Sequence, residues 1–261
     1  MTQFDSHIPT VSPSNPVQDD KAKFLAGFRA LARWAKTGKR LEADSLATYT
    51  AYAAVYRGEG HATLPSGMFP LLDEILRGDF AGQVIEEAWE ILAAPLPVID
   101  DMAHCPQNTP FHAWNVLGHT ARVVDASPAT SLSRWAALLH DCGKPACRRT
   151  DTTGRDHFKG HDSVGCKIAD DTLRDIEAPD KLREAICLLV CTHENYTAAD
   201  TASCDDMLLA FDNDIDLYFA LTSLQIADAS AKSPGVTERR DAALGVREYL
   251  RAIKGHGDAS R

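Results

Sequence analysis

Residues 131–145 read SLSRWAALLHDCGKP. The apolar run before the His–Asp pair has helical character, and Gly143 and Pro145 supply stop signals. The pattern therefore predicts a helix over 131–142 with His140 and Asp141 in its last turn. A carboxylate gains nothing at that end, because the backbone dipole there is already negative. A cation bound at the same place reverses the sign, so Asp141 makes more sense as a metal ligand than as a surface charge.

Working outward, residues 111–126 read FHAWNVLGHTARVVDA. Phe111, Trp114, Leu117, Ala121 and Val124 form one helical stripe. His112 and His119, seven residues apart, share another face. Further on, His193 follows Leu182, Ile186 and Leu189 on the inward stripe of a helix predicted over 179–193. Asp228 follows Leu217, Leu221 and Leu224 at i, i+4, i+7 and i+11 of a helix over 214–231. An aspartate facing a core costs several kcal/mol unless it is paired or metal-bound. The string around it, LTSLQIADASA, holds no Lys or Arg, so a partner from elsewhere is expected to meet it.

The ordinary readings weigh against each piece alone. A single histidine on an apolar face is usually a hydrogen-bonded core residue, and an HD dipeptide is common. This chain has a second, His161–Asp162, without the apolar run before it or the GK after it. His161 is a candidate ligand at the start of its own helix, and Asp162 is expected to cap that helix. What chance explains poorly is the combined order of His, apolar-HD-GK, then His, His and a stripe Asp.

The rest of the chain also reads as helical. Phe24, Phe28, Leu31 and Trp34 recur at helical spacing, and a second pattern runs from Leu41 to Tyr56. Further helices are expected near 66–77, 81–93, 161–175, 203–211 and 236–253. Strand-like alternation is nearly absent, and there is no internal repeat. The expectation is an all-α fold with a disordered leader over 1–20, a helical neck-like region over 21–104 and a metal-binding domain over 105–261. The Pro/Asn-rich stretch Cys105–Pro110 marks the boundary between the last two.

With 261 residues, 44% hydrophobic and 25% charged, the composition is that of an ordinary globular protein. No apolar run approaches the ~20 residues of a membrane span, so no membrane partner is expected. Seven cysteines without CxxC spacing fit reduced thiols in the cytoplasm. A formal charge of −10 disfavours broad phosphate neutralisation on nucleic acid. It leaves room for a local basic strip. Oligomeric state is not legible.

At these residues the sequence resembles the HD superfamily of metal-dependent phosphohydrolases, whose ligand order H…HD…D matches His119, His140–Asp141 and Asp228. CPQNTPFHAWNVLGHT, ALLHDCGKPACRRTD and HFKGHDSVG are similar to the HD region of bacterial CCA-adding tRNA nucleotidyltransferases and their poly(A)-polymerase-like relatives. FRALARWAKTGKRLEADSLATY resembles the helical neck that precedes that region. The nucleotide-adding head of that family has no counterpart before Phe24, so this chain alone is not expected to add nucleotides to tRNA. Asp214 and Asp216, the one DxD-like string before an apolar run, read as N-terminal helix charges. Asn115 stands where that branch commonly has Asp, which bears on how the neighbouring histidines are oriented.

The resemblance implies an HD-domain helical fold and a divalent-metal cofactor, one or two ions of Mn, Fe, Ni, Co, Zn or Mg. In the fuller arrangement Asp141 bridges two ions. His119, His140 and Asp228 hold the first, and His161 and His193 the second. With the second site empty, one metal remains. Catalytic roles fall to Asp141 and Lys144, with Lys144, His112 and Arg122 as candidate substrate contacts, although a solvated helix face is the plainer reading of Arg122. The implied reaction is hydrolysis of a phosphomonoester or phosphodiester, including nucleotide and 2′,3′-cyclic nucleotide substrates. The rival is a headless relative that binds RNA or a partner protein.

Overall fold

The computed structural model describes residues 16–57, 64–109, 113–232 and 237–258. The leader expected over 1–20 therefore lies outside the described residues as far as residue 15. From Pro16 the chain is helical: a proline at the first position loses no helical hydrogen bond.

The N-terminal helices are α1 (Pro16–Thr37), α2 (Ala43–Ala54), α3 (Met68–Leu76), α4 (Ala81–Glu87), α5 (Trp89–Leu92) and α6 (Val98–Ala103). The single helix expected over 81–93 breaks at Ala88, and α6 was not foreseen because Pro95 and Pro97 masked so short a turn. The chain continues through α7 (Val116–Ala126), α8 (Ser131–Leu139) and α9 (Lys144–Cys147). A hairpin of β1 (Arg149–Thr150) and β2 (Asp156–His157) precedes α10 (His161–Asp175), α11 (Asp180–Thr192), α12 (Thr201–Ala210), α13 (Ile215–Ser230) and α14 (Glu238–Asp258). The two strands pair antiparallel, Arg149 opposite His157, and are too short to announce themselves by alternation. The fold is all-α.

Helices α7, α8, α11 and α13 pack on one another. Helix α10 lies along α11, and α3 and α4 lean on α8 and α7. One continuous apolar cluster runs from Phe24 and Trp34 through Ile85, Val123 and Trp135 to Leu224 and Leu250, and Cys105 belongs to it. Helix starts follow local chemistry. Asn115 accepts from Gly118 N at 2.8 Å, Thr130 from Ser133 N at 3.2 Å and Asp214 from Leu217 N at 2.9 Å, satisfying amides that lack helical partners. Asn115 also donates to Ala103 O at 2.7 Å. A carboxylate could cap α7 but not donate, so the amide ties α7 to α6 as Asp could not.

Two glycines fix contacts that the site depends on. At Gly82 a Cβ would lie 2.3 Å from Asp125 Oδ2 and 2.6 Å from Ala121 O, and at Gly143 it would lie 2.1 Å from His161 O and 2.6 Å from Gly165 N. The turn after α8 thus presses against the start of α10, backbone to backbone. Gly143→Ala is expected to destabilise the protein by about 2 kcal/mol, lowering Tm by roughly 5 °C, and to weaken metal retention. Calorimetry showing an unchanged Tm would contradict the tight approach.

Candidate metal centre

The packing of α7, α8, α10, α11 and α13 converges five elements on one point. His119 is the fourth residue of α7, and Asp228 lies in the last turn of α13. His140 follows the last residue of α8, with Asp141 next in the turn. His161 opens α10, and His193 follows the last residue of α11. All six are buried, His119 and His140 completely. Helix α8 ends at Leu139, three residues earlier than expected, so the His–Asp pair sits in a turn rather than in helix. Lys144 N donates to Asp141 O at 3.0 Å to close that turn.

Three ring orientations are set by the backbone. Nδ1 of His140 lies 2.8 Å from Ala137 O, that of His161 2.9 Å from Phe158 O, and that of His193 2.7 Å from Val190 O. A carbonyl oxygen only accepts, so each Nδ1 carries a proton, and in its neutral form each ring offers Nε2 as a lone pair. Those lone pairs face other lone pairs. His161 Nε2 and His193 Nε2 are 3.2 Å apart. His140 Nε2, without a hydrogen-bond partner, lies 3.2 Å from Asp141 Oδ2. Only a shared proton or a cation reconciles such an arrangement.

The two oxygens of Asp141 face different clusters. Oδ1 lies 3.2 Å from His161 Nε2 and 3.8 Å from His193 Nε2; Oδ2 lies 3.7 Å from His119 Nε2. Asp228 Oδ1 lies 2.9 Å from His119 Nε2 and 3.8 Å from His140 Nε2. Two groups therefore have donor atoms all within 4.8 Å of one another and could each hold a metal ion: His119, His140 and Asp228, and Asp141, His161 and His193. Nitrogen and carboxylate donors of this kind suit a borderline or hard divalent ion, so the residues present fit the group.

Charge balance is supplied by two lysines. Lys144 Nζ is 2.6 Å from Asp141 Oδ2 and 2.9 Å from Gln107 Oε1, and Lys232 Nζ is 2.6 Å from Asp228 Oδ2. Burial would raise both carboxyls. His140 and Lys144 beside Asp141, and Lys232 and the His119 ring bonded to Asp228, hold these carboxyls well below the usual carboxylate range. Burial lowers His119 despite its bond to Asp228, and burial beside His140 and His161 pushes His193 down to about 4. His140 goes the other way: burial opposes its protonation, but Asp141 and Asp228 outweigh it and raise it.

Several expectations are corrected here. Asp228 does have a local cation: Lys232 stands one helical turn on, just beyond the string that seemed to isolate it. Asp162 does not cap α10; Gly160, in the left-handed region at φ 80°, is the N-cap, and Asp162 contributes charge to the first turn. Trp114 is not on a buried stripe. Helix α7 starts at Val116, leaving the indole 38% exposed under the Arg122 guanidinium at 3.9 Å. Arg122 pairs with Glu86 at 3.1 Å and donates to Gly118 O, none of them a cage residue. Phe111 and His112 lie outside the described residues.

The sequence reading also missed Gln107, Tyr196 and Gln225. Gln225 Nε2 donates to His193 O at 3.2 Å and Asn195 O at 3.1 Å, and Tyr196 OH lies 3.5 Å from Asp228 Oδ2. Gln225 sits three residues before Asp228, so helical spacing could have found it. The other two are in loops and carry no periodic signal.

If the two clusters hold separate ions, elemental analysis of metal-reconstituted protein should give two ions per chain, one in His193→Ala and fewer than one in Asp141→Ala. Two ions surviving both substitutions would rule the arrangement out. NMR titration of chelator-treated protein should place His193 near pH 4, against ~6.5 for a free imidazole. The unfolded chain then takes up its proton first, so this residue's contribution to stability is lost as pH falls from about 6.5 toward 4. A midpoint near 6.5 would show that the ring is not held neutral by burial.

Comparison with known proteins agrees with this geometry. Residues 111–218 match the HD domain family. The chain is 31% identical over 175 residues to an A-adding tRNA nucleotidyltransferase of Deinococcus radiodurans, covering 64% of this chain and 38% of that protein. It is 44% identical over 62 residues to a CC-adding tRNA nucleotidyltransferase of Thermus thermophilus, covering 23% and 14%. The chain thus spans well under half the length of these relatives. A buried His/Asp cage on converging helices and a family match over the segment that holds five of its six residues agree: residues 111–218 of this chain match the HD domain family.

Proposed function

We propose that this protein hydrolyses a phosphoester, either a monoester or a diester, with nucleotides and 2′,3′-cyclic nucleotides as the substrate class. The observation that carries the reading is the set of opposed lone pairs in a buried cage, which a divalent cation resolves and an apolar core would not tolerate. His119, His140 and Asp228 would hold one ion and Asp141, His161 and His193 a second, with Asp141 standing between the two groups. Such ions supply Lewis acidity and a water nucleophile at neutral pH.

The chain's own residues do the rest. The Nδ1–carbonyl bonds of His140, His161 and His193 fix ring orientation before any ligand arrives, so little reorganisation is left for the reaction. Lys144, buried at the cage and held by Gln107, offers an ammonium to a phosphoryl oxygen. His112 remains a candidate substrate contact, seven residues before His119. The seven free thiols are in keeping with a cytoplasmic protein, and among the described residues no helix is long and apolar enough to cross a membrane.

One observation favours a second reading. Both relatives are named for tRNA, which supports an RNA- or partner-binding module; the net charge of −10 weighs against RNA. Hydrolysis of a generic aryl phosphodiester and of 2′,3′-cyclic AMP, with Mn or Ni present, separates the two. Wild type should turn over at least one, and Asp141→Ala should lose roughly a hundredfold or more, since even changes beyond the ligands cost 10–100-fold. Equal rates for wild type and variant would favour the binding module.

A further inference from the structure

Lys232 lies just beyond α13, where the chain has begun to turn away: Ala231 N bonds back to Ala227 O and Lys232 N to Ala229 O. A lysine there is ordinarily a solvated helix-end charge. This one is not. Its side chain is only 7% exposed and its ammonium is 2.6 Å from Asp228 Oδ2. The Oδ1 atom of the same carboxylate faces His119 and His140. An ion held by that cluster through Oδ1 would leave Lys232 in place on Oδ2, a second positive charge fixed beside the first.

The charge balance of the cage makes this consequential. Asp141 and Asp228 carry two negative charges; Lys144 and Lys232 carry two positive ones. With the four imidazoles neutral, the buried site sums to zero before any metal enters. One divalent ion leaves it at +2 and two leave it at +4, in surroundings where uncompensated charge is costly. A phosphate dianion restores the balance for one ion and halves the excess for two. An ammonium has three donors, and the Asp228 contact uses one.

We propose that Lys232 is an anion-positioning residue that receives a phosphoryl oxygen at the first cluster, so that a divalent ion and a phosphate group bind this protein cooperatively. The proposal rests on the metal-hydrolase reading above. Linkage makes the coupling reciprocal: phosphate tightens the metal by the same factor that the metal tightens phosphate. Lys232 is then a source of preference for doubly charged phosphomonoester groups. It belongs to none of the motif strings by which the cage was found.

The test is Mn²⁺ binding to the full, chelator-treated chain, read by electron paramagnetic resonance of the free ion, with and without inorganic phosphate. Phosphate should tighten Mn²⁺ about tenfold in wild type, within the usual span of coupling between sites. In Lys232→Met, Mn²⁺ alone should bind more tightly than in wild type and the phosphate enhancement should largely vanish; Lys232→Arg should keep it. Should Lys232→Met fail to fold by circular dichroism, Lys232→Gln retains a donor to Asp228 without the charge and should behave the same way. Mn²⁺ binding that is indifferent to phosphate in wild type, or an enhancement undiminished in the uncharged variants, overturns the proposal and leaves the metal reading standing. Absence of Mn²⁺ binding under every condition overturns both.

Discussion

The carboxylate of Asp141 is the constraint on which the rest of the centre depends. One oxygen is turned toward His161 and His193, the other toward His119 and Lys144, with His140 beside it. Helices remote in sequence must deliver their side chains to within a few ångströms of a single group. That is possible because α8 stops at Leu139 and releases Asp141 into a turn, and because Gly143 lets that turn touch the start of α10. A side chain at 143 would open this gap, and His161 would lose its place opposite Oδ1.

Helix ends supply both the positions and the orientation. His140 and His193 each follow the last residue of a helix, where carbonyl groups lack helical partners, and each returns its Nδ1 proton to the carbonyl three residues back. The same bond satisfies an orphaned acceptor and aims Nε2 at the cage. His161 does the equivalent from the opposite end, bonding to Phe158 O before α10 begins. Two buried carboxylates amid these rings would be untenable without cations, and Lys144 and Lys232 provide them. The result is a polar centre that balances its own charge inside a continuous apolar core.

Much of this was legible in the sequence. The helical patterns from Phe24 to Trp34, from Leu41 to Tyr56 and over 161–175, and the stripe carrying Asp228, follow from apolar spacing that only a helix satisfies, whereas the start of α1 at Pro16 falls in what reads as a disordered leader. The cage residues stood out because ionisable groups on inward faces are costly and rare. Other features were not legible. The break at Ala88, helices α6 and α9, and the two-residue strands are too short for an apolar pattern to repeat within them. Trp114 looked like a core residue because aromatic spacing fits a helix over 111–126, whereas α7 starts at Val116, after its Asn115 cap. Lys232 was overlooked for a different reason. Its helical register with Asp228 is plain, but a lysine beyond a helix end is ordinarily in water.

The sequence by itself determined the helical class, the identity of the cage residues and their order along the chain. These depend on local periodicity and on the chemistry of each side chain. Only the tertiary structure decided which oxygen of Asp141 meets which histidines, that Lys232 rather than solvent meets Asp228, and that Arg122 belongs to Glu86 and Trp114 instead of the cage. Such pairings are set by how helix axes cross and where each helix ends. A shift of one residue at a helix terminus turns a side chain by about 100°, and no local pattern encodes that choice.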